Sequence, residues 1–374
     1  MTSLLLSISS VLNYILYIII ALLILMFLVM VHELGHYTAG KILGFKIDEF
    51  SIGFGPKLFQ KKKKNGELFT IRAVPLGGYC AFDGEDTDSA SSTAFNNQKP
   101  WKRLIVLVSG VLFNFLIAVV FAFILLTCVG YEKVEVKKVE TASINYNVLY
   151  EGDVIYGVNG TEFDFVKDDY FNSLISEYTD TSDFKADQYV SNGEKYSIVP
   201  MNIVRDGEKI VVDVRLKQYV DSDSEYWSFM AQKEGGTEFD LANYKTPFVK
   251  ALGECWDFSF RWSYKILIIL GKLITGGIPI KDLGGPVTTI KVMADTTSQN
   301  FSFALLLIPV IAINLAVFNI LPIPSLDGAR CVFVLIEWIR KKPINRDLEG
   351  KIHTIGLIAL LGFVVLVDIL HFIL

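Results

Sequence analysis

Apolar residues fall along this chain in long unbroken blocks, not in the three-to-four spacing of a helix on the surface of a soluble domain. Met1–Val31, Leu104–Tyr131 and Thr296–Leu326 contain no charged side chain, and the block that ends at Leu374 contains one, Asp368. A helix rising about 1.5 Å per residue needs roughly 20 apolar residues to cross about 30 Å of hydrocarbon. Each block meets that length, so the pattern predicts four transmembrane helices. The first block has no positive n-region and its apolar run is too long for a signal peptide, so it is read as a retained span.

Between the blocks the pattern changes. "ELFTIRAVPLGGYCAF", residues 67–82, alternates weakly and is expected to form a hairpin dipping into the membrane. "VEVKKVE", "DVIYGVNG" and "SIVPMNIVRDGEKIVVDVRL" read as strands with an Asp-Gly turn, enough for one small domain over residues 131–218. Its polar stretch 163–196 is expected to hold a helix or to be mobile, and residues 219–249 read as a linker. From 250 to 275, Lys250, Glu254, Asp257, Arg261, Lys265 and Lys272 line one stripe of an otherwise apolar helix, which predicts a helix lying at the interface. The expected organisation is therefore 1–130, a membrane half with two spans; 131–218, a folded domain; 219–300, linker and interfacial helix; and 301–374, a second membrane half.

Composition agrees with a membrane protein: 52% of residues are hydrophobic and the mean hydropathy is +0.42. Charge sets the orientation. Residues 41–103 carry eleven Lys/Arg and 330–351 six, whereas 131–300 carries 18 against 27 Asp/Glu. Short basic loops stay in the cytoplasm, so both termini and the acidic middle segment are expected outside. The cysteines, Cys80, Cys128, Cys255 and Cys331, are scattered and suggest neither a disulfide framework nor a Cys-ligated metal. No phosphate loop, nucleic-acid patch or internal repeat is present.

The chemistry begins where the first block ends, in "VHELGHYTAG". His32 and His36 at i and i+4 stand on one helix face, one turn apart, and can reach one metal ion. Glu33 beside them is placed to take a proton from metal-bound water, the His-Glu-x-x-His arrangement of zinc hydrolases. Ionisable groups in a span are costly and tend to be functional, which argues against two chance interfacial histidines. A catalytic zinc wants a third protein ligand and one open position. His371 is predicted near the outer end of the last span and His353 at its start. Asp327 in "NLAVFNILPIPSLDGA" follows a break made by Pro322 and Pro324, and is the better candidate. Capping of the next helix is the competing role for it.

These residues carry a resemblance. "HELGH" in a first span with "FNILPIPSLDG" in a late one resembles the site-2 protease family of intramembrane zinc metalloproteases. "EFSIGFGPKLF", "IRAVPLGGYCAF", "SGVLFNFLIA" and "LGGPVTTI" resemble its regulator-of-sigma-E branch, and "EGDVIYGVNGTEF" resembles a PDZ domain. The resemblance implies a polytopic α-helical membrane protein of the bacterial inner membrane, with a membrane-associated β-hairpin and one extracytoplasmic mixed α/β PDZ domain. It implies one Zn2+ held by His32, His36 and Asp327, with Glu33 catalytic. It places Asn314 and Asn319 near substrate or oxyanion and Asn114 facing the core. The hairpin, at Gly77, Gly78 and Tyr79, is proposed to offer a strand edge to substrate. The substrates implied are single-pass membrane proteins, such as anti-sigma factors and signal-peptide remnants, already cut by an upstream site-1-type protease. Val111 stands where the family pattern has proline, and "TASINYNVLY", residues 141–150, lacks the usual glycine-rich peptide-binding loop. A metal transporter using the same residues, and a catalytically idle PDZ scaffold, are the alternative readings.

Overall fold

The computed structural model describes residues 2–373 except 86–88, 142, 163–177, 179–188, 192–193, 222–223, 229–236, 278–283 and 300–301. The chain divides into two compact units. One comprises residues 1–124 and 252–374, the other 125–251.

The first unit is helical with one small sheet. Helix α1 (Thr2–Leu43) runs through the uncharged block and continues past the histidines, and α2 (Pro100–Ile124) packs on it. Small residues let the two helices close up. A Cβ on Gly35 would overlap the Ser109 carbonyl and come within 2.9 Å of Gly110 Cα, the close approach that Gly and Ser allow between membrane helices. The buried face of α2, with Val106, Ser109, Gly110, Asn114, Ala118 and Ala122, keeps the i, i+4 spacing of one stripe.

Between α1 and α2 lie β1 (Ile47–Lys62) and β2 (Leu68–Phe82). Their pairing is more than a hairpin. Residues 47–52 pair with 78–82 on one side and, over 49–52, with 68–71 on the other, while 57–62 pair with 68–72. Two long strands thus fold into four short rungs. The bend in β1 needs positive φ, and Gly53 (φ +84°) and Gly55 (φ +80°) supply it. Glu67 clamps the turn. Its carboxylate is fully buried and accepts from Lys41 at the end of α1, from Lys63 at 2.6 Å and from Asn65 at 3.2 Å.

The later helices are α3 (Phe248–Ile274), α4 (Pro286–Gln299), α5 (Ser302–Ile320), α6 (Asp327–Arg340) and α7 (Arg346–Ile373). Among the described residues, three helical stretches are long and apolar enough to cross a membrane: 11–43, 100–129 and 346–370. The expected third span is shorter. The apolar part of α5 covers Leu305–Ile320, and the turn at 321–326 separates it from α6. In the interfacial stretch, α3 is one unbroken helix, and its Trp256 and Phe260 meet Phe115 of α2. Asp368, the lone acid of the last apolar block, accepts from Val287 N (3.1 Å), Thr288 N (3.1 Å) and Thr288 Oγ1 (2.9 Å), and so caps the start of α4.

The second unit is antiparallel. Its strands are β3 (Tyr131–Val139), β4 (Val154–Val158), β5 (Thr161–Glu162), β6 (Tyr189–Ser191), β7 (Glu194–Arg205), β8 (Glu208–Asp221), β9 (Ser224–Ser228) and β10 (Thr237–Tyr244). They form one sheet in the order β10-β3-β4-β7-β8-β9, with β5 on β4 and β6 on β7. Val136, Ile155, Met201, Ile203 and Leu216 are among its buried core residues. The linker expected over 219–249 is instead partly strand: β9 pairs with the end of β8, and β10 with β3 at eight positions. The alternation of Phe239 and Leu241 with Glu238 and Asp240 is the strand signal. Most of the expected helix or mobile stretch at 163–196 lies outside the described residues.

The Glu67 clamp should titrate. Burial pushes the Glu67 carboxyl up, but the Lys41 and Lys63 ammonium groups outweigh it and hold the pKa at about 2, against 4.5 ordinarily. A carboxyl depressed in the folded state contributes stability that is present above its unfolded pKa and is lost as pH falls toward the folded one. Between about pH 4.5 and 2 the β1–β2 amides should lose about 3 kcal/mol of protection, at about 1.4 kcal/mol per pKa unit. Hydrogen exchange of these amides across that window, wild type against Glu67→Gln, measures it. The variant should lack this pH-dependent component.

Candidate metal centre

Four elements converge on the site. His32 and His36 project from the last third of α1 toward α2 and α6, each 7% exposed. Asp327 is the first residue of α6. The N-cap position belongs to Leu326, which makes no side-chain cap, and the Asp327 carboxylate turns to the histidines instead. Helix capping, the competing role for this aspartate, is therefore not how it is used. Nor is there room for a larger residue after it: a Cβ at Gly328 would overlap the carbonyls of Ile320 and Leu321.

The three ligand atoms form a tight triangle. His32 Nε2 is 2.9 Å and His36 Nε2 is 3.2 Å from Asp327 Oδ2, and the two nitrogens are 3.1 Å apart. These are the three residues whose donor atoms group closely enough to hold one metal ion among the described residues. Two imidazoles and a carboxylate are a donor set that zinc accepts, and ligands at about 2.0–2.1 Å in a tetrahedron stand roughly 3.3 Å apart. The surroundings fit as well. A histidine that gives Nε2 to a metal carries its proton on Nδ1 and needs an acceptor there. For His36 that acceptor is the Val106 carbonyl at 2.8 Å. For His32, Asn114 Nδ2 lies 3.4 Å from Nδ1, while the buried Asn114 Oδ1 has no partner. A half-turn of this amide exchanges the two atoms and gives the Nδ1 proton its acceptor.

Glu33 meets the end of β2. Its Oε2 accepts from the Cys80 backbone N–H at 2.9 Å, so the end of β2 lies directly against this carboxylate. Gly77, Gly78 and Tyr79 precede that contact. A Cβ on Gly78 would come within 2.6 Å of Met30 Sδ and one on Gly77 within 3.5 Å of Val29, one turn before His32 and Glu33. Tyr79 Oη accepts from Arg72 at 2.6 Å and its ring stacks on Phe54. The structure thus brings together His32, Glu33, His36, Asp327 and Asn114, with Gly77, Gly78 and Tyr79 alongside. Asn314 and Asn319 are half-buried on α5 and take no part in the hydrogen bonds of the histidine–aspartate cluster.

Sequence reasoning passed over three contributors. Two are backbone groups, Cys80 N–H and Val106 C=O, which leave no mark in residue type. The third is Gly110, whose absent side chain leaves room for the two imidazoles: a Cβ there would lie 2.5 Å from His36 Nε2 and 2.8 Å from His32 Cε1. Its signal was available in "SGVLFN", where a glycine sits in the middle of a long apolar helix.

A His-Glu-x-x-His turn joined to a distant aspartate and set between apolar helices has the donor set of a metallopeptidase. The chain belongs to peptidase family M50, whose family model matches residues 20–363; the family is membrane-embedded and zinc-dependent. Its relatives include a protein of Fusobacterium nucleatum, 28% identical over 360 residues, covering 94% of this chain and 96% of the relative. A Clostridium perfringens protein is 29% identical over 355 residues, covering 94% and 97%. A Nostoc protein is 28% identical over 368 residues, covering 91% and 92%. All three are named, by inference, as zinc metalloproteases.

Gly110→Ala tests the closeness of α2 to the ligands. A methyl group at that place must displace one or both imidazoles, and a misplacement of about 1 Å at a reacting centre costs roughly 100-fold in rate. Zinc per chain and peptidase rate should both fall, with helix content by circular dichroism unchanged.

Proposed function

We propose that this chain is an intramembrane zinc endopeptidase in which His32, His36 and Asp327 hold the metal and Glu33 is the general base. The observation that carries the reading is the triangle of His32, His36 and Asp327 donor atoms, with Glu33 on the same helical turn. A bound zinc supplies Lewis acidity, which brings the pKa of a coordinated water to about 7. Glu33 takes a proton from the attacking water and passes it to the amide nitrogen as the peptide bond breaks. The Cys80 amide fixes which way that carboxylate points. Val106 and Asn114 hold the ring orientations of His36 and His32.

A transmembrane substrate sets a condition on its own cleavage. A helical segment has its carbonyls closed in i→i−4 bonds, so it must be extended before it is cut. A strand edge can supply replacement main-chain bonds. On β2 the outward amides of Cys80 and Phe82 are taken by Glu33 (2.9 Å) and Glu85 (3.3 Å). That these two amides are taken supports an incoming strand at Gly77–Tyr79, with Asn314 and Asn319 near the substrate or the oxyanion. The substrates are single-pass membrane proteins, anti-sigma factors or signal-peptide remnants among them, already shortened by an upstream site-1-type protease.

The membrane reading is four spans: α1, α2, α5 with its following turn, and α7, with α3 at the interface. The basic loops are cytoplasmic, and residues 131–218 are a PDZ-like module outside that filters substrates by size or docks them. Water reaches the site from the basic side. A cavity of about 460 Å3, lined by Arg103, Ser325, Arg330, Arg346 and His353 among others, reaches the turn that carries Asp327.

The test is zinc content together with cleavage of a reporter transmembrane substrate in detergent. Wild type should hold about one zinc and cut. Glu33→Gln should hold zinc and not cut, with a loss of at least about 100-fold. Asp327→Ala should lose both. Cleavage by Glu33→Gln, or full zinc in Asp327→Ala, would overturn the assignment.

A further inference from the structure

The turn that delivers Asp327 makes one backbone hydrogen bond to a side chain of another element. Among residues 321–326, Pro322 and Pro324 have no N–H. Leu321 N–H donates to Phe318 O, Ile323 N–H to Leu321 O and Leu326 N–H to Ile323 O, all within the backbone. The Ser325 N–H alone donates to a side chain, His353 Nδ1 of α7, at 3.0 Å. Ser325 has φ +85°, a conformation that costs a non-glycine residue and persists only when neighbours enforce it. The neighbours are on the same face of α7. A Cβ on Gly356, three residues after His353, would overlap Pro324 Cβ and lie 2.9 Å from its carbonyl oxygen. The imidazole is itself fixed, its ring centroid 5.5 Å from that of Phe333 on α6 in an edge-on arrangement. His353 must present Nδ1 as an acceptor here, so its proton sits on Nε2.

We infer that His353 is a positioning residue for the metal centre: it binds no metal, but fixes the Ser325 amide and so sets the direction from which Asp327, two residues on, meets His32 and His36. The inference rests on the reading of Asp327 as a zinc ligand. It assigns the third histidine of the membrane unit a role through hydrogen bonding to the backbone.

The experiment is chelator competition for zinc on the full chain in detergent. The variants are His353→Leu, His353→Asn, His353→Gln and Asp327→Ala, with melting of the zinc-free proteins recorded alongside. Leu removes the acceptor. Asn places an amide oxygen near the position of Nδ1, whereas Gln reaches the position of Nε2. Zinc affinity should fall roughly 10- to 100-fold in His353→Leu, the usual effect of removing a partner that orients a ligand. It should fall similarly in Gln and return most of the way in Asn, with zinc-free melting alike in Asn and Gln. Wild-type affinity in Leu and Gln, or no recovery in Asn relative to Gln, would overturn the inference. The Gln–Asn contrast decides the matter even if Leu fails to fold. Zinc retained by Asp327→Ala would instead strike at the ligand assignment itself.

Discussion

The membrane unit is built around one carboxylate oxygen. Asp327 Oδ2 lies within 3.2 Å of two imidazole nitrogens, in a place walled by apolar helices. A carboxylate there without partners costs several kcal/mol, and a pair of histidines without an anion or a metal has no reason to be there. Each half of the site is therefore unfavourable alone. His32 and His36 need Asp327, nearly three hundred residues later in the chain. The rest of the unit solves the problem of bringing a loop from one end of the sequence against a helix from the other. The glycine contacts are the local consequence. Gly35 and Gly110 let α1 and α2 close to backbone distance, and Gly110 leaves the volume that the two rings fill.

The same frame fixes Glu33. Glu33 would be free to rotate were its carboxylate not tied to the Cys80 amide. That amide belongs to a sheet fixed at both ends. Its turn is clamped to the end of α1 through Glu67 and Lys41, and just past β2 Glu85 pairs with Arg330, one turn after Asp327 on α6. Further down α6, Glu337 takes Arg103 of α2 at 2.5 Å and Arg346 at 3.1 Å. Breaking one partner of such a buried pair strands the other charge, which is far more costly than the net worth of the pair. The helix that begins at Asp327 is thus tied by ion pairs to the end of β2, which contacts Glu33, and to α2.

What was legible in the sequence was whatever residue type and local spacing encode. His32, Glu33 and His36 are readable because a helix repeats near four and because ionisable groups at the end of an apolar block are expensive. Asp327 is readable because Pro322 and Pro324 break a helix that otherwise had no reason to end. The double pairing of β1 was not readable: a strand flanked by both halves of its neighbour depends on register, and weak alternation leaves register open. Residues 237–244 read locally as linker because their partner, β3, lies about a hundred residues upstream. Asp368 looked like an isolated acid in a span until the start of α4 supplied its three donors. Cys80 and Val106 act through main-chain atoms, and no side-chain pattern announces those.

The broken helix before Asp327 has a physical reason beyond ending a span. Within a continuous α-helix a carboxylate lies along the flank and every amide is committed to the ladder. A turn made of two prolines removes two donors that an apolar setting could not satisfy, and backbone bonds within it absorb three more. The helix that follows then starts at Asp327, with the carboxylate in its first turn. Negative charge there is favoured by the helix dipole, so the position that best serves two histidines is also the one where a buried anion costs least. Gly328 follows because α6 must start almost in contact with the carbonyls that end α5. The sequence Leu-Pro-Ile-Pro-Ser-Leu-Asp-Gly is in this sense one device: it ends a helix without orphaned amides and begins another with the Asp327 carboxylate at its tip.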